Sequence, residues 1–181
     1  MNLLVFTLLT VKRTMTVVDS DLYSWEKIIA NKWVILDTNT IINLIKYNSV
    51  EYFLEKSKAL NINLLTLQPV VLELYRTNSP IERIKRNQFL NFIEVLGITT
   101  DLKNKSEEIQ KKMWIENYYP EPTDLYLASA IHKYSNNSKT LLATSNLDDF
   151  REPLFHRNGF ITLSDNKSIC TISLLSFNQE S

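Results

Sequence analysis

The chain has 181 residues, of which 44% are hydrophobic and 22% are charged, an ordinary composition for one globular domain. Its 20 lysine and arginine residues equal its 20 aspartate and glutamate residues, which excludes the overall positive charge of a protein that coats nucleic acid. The single cysteine, Cys170, excludes an internal disulfide and has no Cys or His neighbour at zinc-binding spacing, so we expect a cytoplasmic protein.

Residues 1–30 are interpreted as an N-terminal extension with one amphipathic helix at Ser20–Ala30, which covers either this domain or a partner. The apolar stretch Leu3–Val11 follows no basic residue and lacks a small-residue cleavage site, unlike a signal peptide. It is also much shorter than the roughly 20 apolar residues of a membrane span, so we expect no membrane partner. Met15 offers a second start, and residues 1–14 are either a native segment or an overextended reading frame.

Short apolar runs further along the chain predict strands at Trp33–Leu36, Leu64–Leu67, Thr140–Ala143 and Phe160–Leu163. Longer patterns between them predict helices at Thr40–Tyr47, Val50–Leu60, Pro69–Arg76, Ile81–Leu96, Ser106–Tyr118 and Asp124–Tyr134, with Thr123 as the cap of the last. This alternation predicts the α/β class, with a mostly parallel sheet covered on both faces. We take residues 31–175 as a single domain and residues 176–181 as a frayed tail.

Acidic and polar side chains follow the predicted strands. Asp37 ends the first apolar run, Glu73 lies about one helical turn after the second, and the run ending at Ala143 leads into Thr144, Ser145 and Asn146. Asp124 lies in the first turn of a predicted helix, where the amino end of the helix favours a carboxylate. Because an open parallel sheet gathers functional groups at the carboxyl ends of its strands, we expect these side chains to meet.

Carboxylates packed together repel one another, and a divalent cation relieves that repulsion. Mg²⁺ and Mn²⁺ prefer oxygen ligands, use one or two carboxylates and otherwise keep water or take phosphate oxygens. Such an ion can activate water and neutralise charge during phosphodiester hydrolysis. The acidic set therefore predicts a metal-dependent enzyme that cuts nucleic acid.

Four sequence blocks between Trp33 and Phe150 resemble, in order and spacing, the signature blocks of PIN domains, especially VapC-type toxins. The blocks are Asp37-Thr38-Asn39 after an apolar strand, Glu73 in Val-Val-Leu-Glu-Leu-Tyr-Arg, Asp124 in Pro-Thr-Asp-Leu-Tyr-Leu-Ala-Ser-Ala, and Asn146 in Ala-Thr-Ser-Asn-Leu-Asp-Asp-Phe. The resemblance implies a three-layer α/β/α, flavodoxin-like fold. It also implies an Mg²⁺- or Mn²⁺-dependent endoribonuclease that acts on RNA, is often a homodimer and is silenced by a cognate antitoxin.

By the same resemblance, Asp37 and Asp124 hold the metal, and Glu73 helps to bind it or positions water. Asn146 stands where many family members have a fourth carboxylate, and either Asp149 or Asp148 compensates for it. The hydroxyl groups of Thr38 and Thr144 match positions that support the first carboxylate or a phosphate.

Two other functions are compatible with parts of this pattern. Asp37 after an apolar strand is also typical of a haloacid-dehalogenase-like phosphatase, but that class has a second aspartate where this chain has Asn39. A catalytically decayed domain that binds RNA or protein is the third alternative, and the neutral Asn146 favours it.

Overall fold

The computed structural model describes residues 25–135, 139–165 and 167–178. The predictions for residues 1–24, which include the stretch Leu3–Val11 and the beginning of the helix Ser20–Ala30, lie outside this part of the chain. The end of that predicted helix is present as α1, Trp25–Ile29.

The described residues form one sheet of six strands, in the order β3-β2-β1-β4-β6-β5. Neighbours among β3, β2, β1 and β4 pair in parallel, whereas β6 pairs antiparallel with both β4 and β5. This mostly parallel sheet, flanked by helices, confirms the predicted α/β class. The strands are β1 (Trp33–Leu36), β2 (Asn63–Leu67), β3 (Glu94–Leu96), β4 (Thr140–Thr144), β5 (Phe155–Ser164) and β6 (Ile169–Phe177).

Six further helices connect and cover the strands. They are α2 (Thr38–Lys46), α3 (Val50–Ala59), α4 (Gln68–Leu74), α5 (Pro80–Leu90), α6 (Thr100–Ile115) and α7 (Pro122–Tyr134). Both α2 and α7 pack on β4, and α4 packs on β2 and β3. Each of the six overlaps a helix predicted from the sequence, with ends that differ by up to six residues; α6, for example, begins at Thr100 and not at the predicted Ser106.

Two segments differ from the prediction in kind. The predicted helix Ile81–Leu96 ends at Leu90, because the chain turns there and Glu94–Leu96 pairs with β2 as a short edge strand. The predicted tail begins two residues too early, because Ser176 and Phe177 pair with β5 as part of β6. Phe177 is buried and packs edge-on against Phe155, with ring centroids 5.5 Å apart.

The central strands explain why the apolar runs are continuous. Val34, Ile35 and Leu36 of β1 are each 0% exposed, and every residue of β4 is buried. A parallel strand covered on both faces has no solvent side on which polar residues would alternate. Polar side chains are therefore concentrated where these strands end.

Helix α1, at the amino-terminal end of the described residues, packs on β5 in the last hairpin of the sheet. A Cβ atom on Gly159 of β5 would overlap the side chain of Ile28, so glycine permits the close packing of α1 on this strand. Trp25 of the same helix stacks with Phe53 of α3, with ring centroids 6.3 Å apart. In the described ranges, no helix has the length and apolar character needed to cross a membrane.

Candidate active site

Asp37 lies directly after β1 and caps the amino end of α2. Its side chain is 3% exposed, and each carboxylate oxygen accepts a hydrogen bond. The backbone N–H of Thr38 donates to Oδ1 at 2.5 Å, and the hydroxyl group of Thr144 donates to Oδ2 at 2.8 Å. Since Thr144 is the last residue of β4, the ends of two neighbouring parallel strands fix this carboxylate.

Glu73 reaches the same edge from α4, which follows β2 without a loop. The hydroxyl group of Thr38 donates to its Oε2 at 2.5 Å, and the hydroxyl group of Thr123 donates to its Oε1 at 2.5 Å. The prediction that Thr123 caps α7 is wrong: the helix begins at Pro122 with Glu121 as its cap. The Thr123 hydroxyl instead joins α7 to α4 through Glu73.

Asp124 follows Thr123 in the first turn of α7 and is half-buried. Within the part of the chain that the structure describes, no hydrogen-bond donor contacts its carboxylate. Its electrostatic neighbours are other acids, with Asp149 first, followed by Asp37 and Glu73. Asp124 is thus the carboxylate of this group whose oxygens are not engaged by neighbouring hydroxyl or amide groups.

The loop after β4 supplies the fourth corner of the site. The Asn146 side chain donates a hydrogen bond to Oδ2 of Asp149, and the Tyr118 hydroxyl contacts both the Asp149 carbonyl oxygen, at 2.6 Å, and Oδ1, at 3.2 Å. Asp148 is exposed, and its backbone carbonyl accepts a hydrogen bond from Arg151. The structure therefore turns Asp149, rather than Asp148, toward Asp37 and Asp124.

Burial and mutual repulsion raise the pKa values of two carboxyl groups in the site. Burial raises the pKa of Asp37 to about 6; hydrogen bonds from Thr144 and Thr38 lower it, and the nearby Glu73 and Asp149 carboxylates raise it further. The pKa of Asp124 rises to about 7, chiefly through burial and then through repulsion from Asp149. Both shifts mean that negative charge at this edge lacks compensation.

A hard divalent cation suits this donor set. Carboxylate oxygens are the ligands that Mg²⁺ and Mn²⁺ prefer, and the raised pKa values mark the place where a positive charge would be stabilising. Among the described residues, no group of three or more His, Cys, Asp or Glu side chains is positioned to hold an ion jointly. An ion bound through one or two carboxylates and several waters, as Mg²⁺ commonly is, does not need such a group.

The structure thus brings together all the acids singled out from the sequence, apart from Asp148. Thr144 supports Asp37 as predicted, whereas Thr38 supports it through the backbone and directs its hydroxyl group to Glu73. Thr123 and Tyr118 were missed as parts of this cluster. Thr123 had a competing interpretation as a cap, and no sequence signal placed Tyr118 beside a carboxylate.

Two solved structures share this fold. One is a chain from the crystal structure of VapBC2 from Rickettsia felis bound to a promoter DNA fragment, and it is 19% identical to this chain in sequence. The match has a TM-score of 0.51 and covers 65% of this chain and 90% of that chain. A chain of DNA-bound VapBC from Salmonella typhimurium has 20% identity and a TM-score of 0.54, over 67% of this chain and 93% of that one. No protein-family model matches the sequence, and no curated protein matches it. The likeness at this level of identity establishes a shared fold.

Proposed function

We propose that this chain is a VapC-type PIN-domain toxin, an endoribonuclease that uses Mg²⁺ or Mn²⁺ to hydrolyse RNA phosphodiester bonds in the cytoplasm. The observation that carries the proposal is the meeting of Asp37, Glu73, Asp124 and Asp149 at the carboxyl edge of one sheet. Their order along the chain and the fold shared with VapBC chains support the same conclusion.

In this proposal Asp37 and Asp124 are the metal ligands. Asp124 has carboxylate oxygens without protein donors among the described residues, and Asp37 is fixed in place by Thr144 and Thr38. A bound Mg²⁺ or Mn²⁺ supplies a water of lowered pKa and compensates charge on the phosphate. Both carboxyl groups must be ionised to bind it, so activity requires a pH near or above their raised pKa values.

Glu73 is a positioning group in the same proposal. One hydroxyl group binds each of its carboxylate oxygens, so its orientation is set before substrate arrives. Lone pairs that remain on those oxygens can accept a hydrogen bond from the attacking water. Asp149, oriented by Asn146 and Tyr118, adds negative charge that favours the cation. The neutral Asn146 thus acts through the acid next to it in the site.

Cleavage of RNA tests the proposal directly. The protein and its Asp37→Asn and Asp124→Asn variants are incubated with single-stranded RNA in Mg²⁺, in Mn²⁺ and in chelator. We expect cleavage that needs metal and that falls by at least a hundredfold in both variants. Glu107→Gln removes an exposed carboxylate from α6 and is the matched control. Cleavage in chelator, or cleavage unaffected by both site substitutions, would exclude this function.

A cognate antitoxin is the partner that the proposal implies, since both structural neighbours were solved as VapBC bound to DNA. Co-expression with the product of an adjacent short reading frame tests it, with a stable complex and loss of cleavage as the expected result. Association of the protein with itself is measured in the same experiment by light scattering.

The two alternatives predict different results in these assays. A phosphatase with Asp37 as nucleophile would release phosphate from a small phosphoester, yet Asn39, at the place of its second aspartate, is exposed. A decayed binding module would bind RNA without cutting it. A decayed site would lack an acid at the corner that Asn146 occupies. Asn146 is hydrogen-bonded to Asp149, so a carboxylate is still present at that corner.

A further inference from the structure

A polar cavity borders the candidate site on the side of β6 and β5. It has a volume of about 350 Å³, at the small end of the range for ligand pockets. Asn146, whose side chain donates to Asp149 of the acidic site, belongs to its lining. The other lining residues are Ser145, Leu147, Asp148, Arg157, Thr171 and Ser173. Hydroxyl groups, an amide and a guanidinium group are the side chains that bind phosphate and sugar oxygens.

A row of paired residues connects this cavity to Asp37. Thr144 of β4, which donates to Asp37, pairs with Ser173 of β6, and Ser173 pairs in turn with Phe160 of β5. Directly paired residues project from the same face of a sheet, and neighbouring strands lie roughly 5 Å apart. Phe160 is therefore about two strand spacings, roughly 10 Å, from the residue that holds the first carboxylate.

The far end of this row combines a positive charge with an aromatic ring. The guanidinium carbon of Arg157 lies 5.2 Å from the centre of the Phe160 ring, and Phe160 is 45% exposed although it belongs to a strand. An exposed aromatic ring beside an arginine is the combination on which unpaired bases stack while their phosphates bind the cation.

Charge explains why RNA needs a binding group here. The acids around Asp37 and Asp124 repel a polyanion and tolerate a phosphate only next to a cation. Arg157 brings a positive charge to the cavity whose lining also contains Asn146, the residue that is hydrogen-bonded to Asp149. A strand whose scissile phosphate sits at the acids can place a neighbouring nucleotide beside Arg157.

We infer that this cavity and the Phe160 ring beside it form a nucleotide-binding subsite for single-stranded RNA. Arg157, which lines the cavity and contacts that ring, binds a phosphate, and Phe160 stacks on the base of a nucleotide next to the cleaved bond. The inference rests on the proposed function, because it assigns part of that function's substrate. It makes Arg157 and Phe160 positioning residues that decide which stretch of RNA is held at the acids.

The test measures binding of a fluorescent single-stranded oligoribonucleotide to the full chain carrying Asp124→Asn, in Mg²⁺, over a series of salt concentrations. Arg157→Gln should weaken binding several-fold and reduce the slope of log affinity against log salt by about 0.7, the value for one phosphate contact on a single strand. Phe160→Leu should weaken binding roughly tenfold and leave the slope unchanged, since stacking releases no counterion.

Lys139→Gln is the control, because it removes one positive charge from an exposed residue at the opposite end of β4. Thermal denaturation establishes that every variant is folded. If the wild-type protein cleaves RNA but the Arg157→Gln and Phe160→Leu variants bind RNA as tightly as the Lys139→Gln control does, the subsite is overturned and the nuclease function stands. Absence of both cleavage and RNA binding in the unmodified chain overturns the nuclease and the subsite together.

Discussion

Thr123 in α7 holds Glu73 in α4 through a 2.5 Å hydrogen bond between residues 50 positions apart. Thr38 at the start of α2 binds the other oxygen of the same carboxylate. The beginnings of α2 and α7 are thereby tied to one acidic side chain near the end of α4, which is an electrostatic neighbour of both Asp37 and Asp124. The position of Glu73 thus depends on neutral residues that carry no chemistry of their own.

Replacing Thr123 by valine should lower the rate of RNA cleavage roughly tenfold or more, because Glu73 loses one of the two donors that orient it. Valine preserves the shape of the side chain and removes only the hydroxyl group. Thr123→Ser keeps a donor and should retain most of the activity. The measurement is kcat for a short RNA substrate, with melting temperatures of both variants. Equal activity of the valine and serine variants would show that the hydrogen bond does not position Glu73.

Asp37→Asn should stabilise the metal-free protein at pH 8. The pKa of Asp37 is raised from 3.8 to about 6 on folding, so the folded protein holds the proton of this carboxyl group more tightly than the unfolded chain does. The stability that this proton contributes is complete below pH 3.8 and is lost as the pH rises through 6. Above pH 6 the ionised group costs free energy that a neutral amide avoids. We expect a melting temperature higher by a few degrees at pH 8, corresponding to about 1–3 kcal/mol, and little difference at pH 4.

The matched control for this measurement is Asp148→Asn, which neutralises an exposed aspartate in the neighbouring loop. Its melting temperature should stay within about one degree of the wild type at both pH values. A stabilisation by Asp37→Asn that is equally large at pH 4 would contradict the assigned cause.

Magnesium should raise the melting temperature of the wild-type protein more at pH 8 than at pH 5.5. Protons compete with the metal for Asp37 and Asp124, whose pKa values are raised to about 6 and about 7. The stabilisation follows the ratio of free metal to its dissociation constant, so weaker binding at low pH gives a smaller shift. Scanning fluorimetry with MgCl₂, against NaCl of equal ionic strength, measures it. A shift of the same size in Asp124→Asn would place the metal elsewhere.

Tyr118→Phe should lower cleavage several-fold while leaving the protein folded. The Tyr118 hydroxyl group contacts the backbone carbonyl and the carboxylate of Asp149, so its removal frees both. The pKa of the phenol is raised by burial and by the Asp149 charge, so it remains a donor throughout the working pH range. Tyr119→Phe, at a neighbouring ring that is 73% exposed, is the control. Indifference to Tyr118→Phe would remove Tyr118 from the site.

The central strands and the acids could be predicted because the physical pattern of each is local. Trp33–Leu36 is predicted with its observed bounds, since a strand buried on both faces is an uninterrupted apolar run. The two missed strands lack that pattern. Glu94–Leu96 is a three-residue edge strand whose first two residues are exposed, and Ile169–Phe177 mixes serine and threonine with apolar residues.

The hydrogen bonds that organise the acids could not be predicted from the chain alone. Asp37, Glu73 and Asp124 attract attention because each follows a predicted strand or lies in the first turn of a predicted helix, where an open parallel sheet gathers functional groups. Thr123 does not, since a threonine at a helix start is commonly a cap, and only the packing of α7 beside α4 gives its hydroxyl group another acceptor. Likewise, the choice between Asp148 and Asp149 depends on the turn of one loop, which a periodicity in the sequence does not encode.

The hydrogen bond from Thr144 to Asp37 spans 107 positions, and it has a consequence for the timing of synthesis. A ribosome makes Asp37 well before Thr144, so β1 gains its second neighbour, β4, only after β2, β3 and the helices α2 to α7 have been translated. Domains generally fold as units once their parts have emerged. A nascent polypeptide of this topology therefore carries unassembled acids, and an RNA-cleaving chain would be inert toward the ribosome and message that produce it until β4 has been made and has paired with β1.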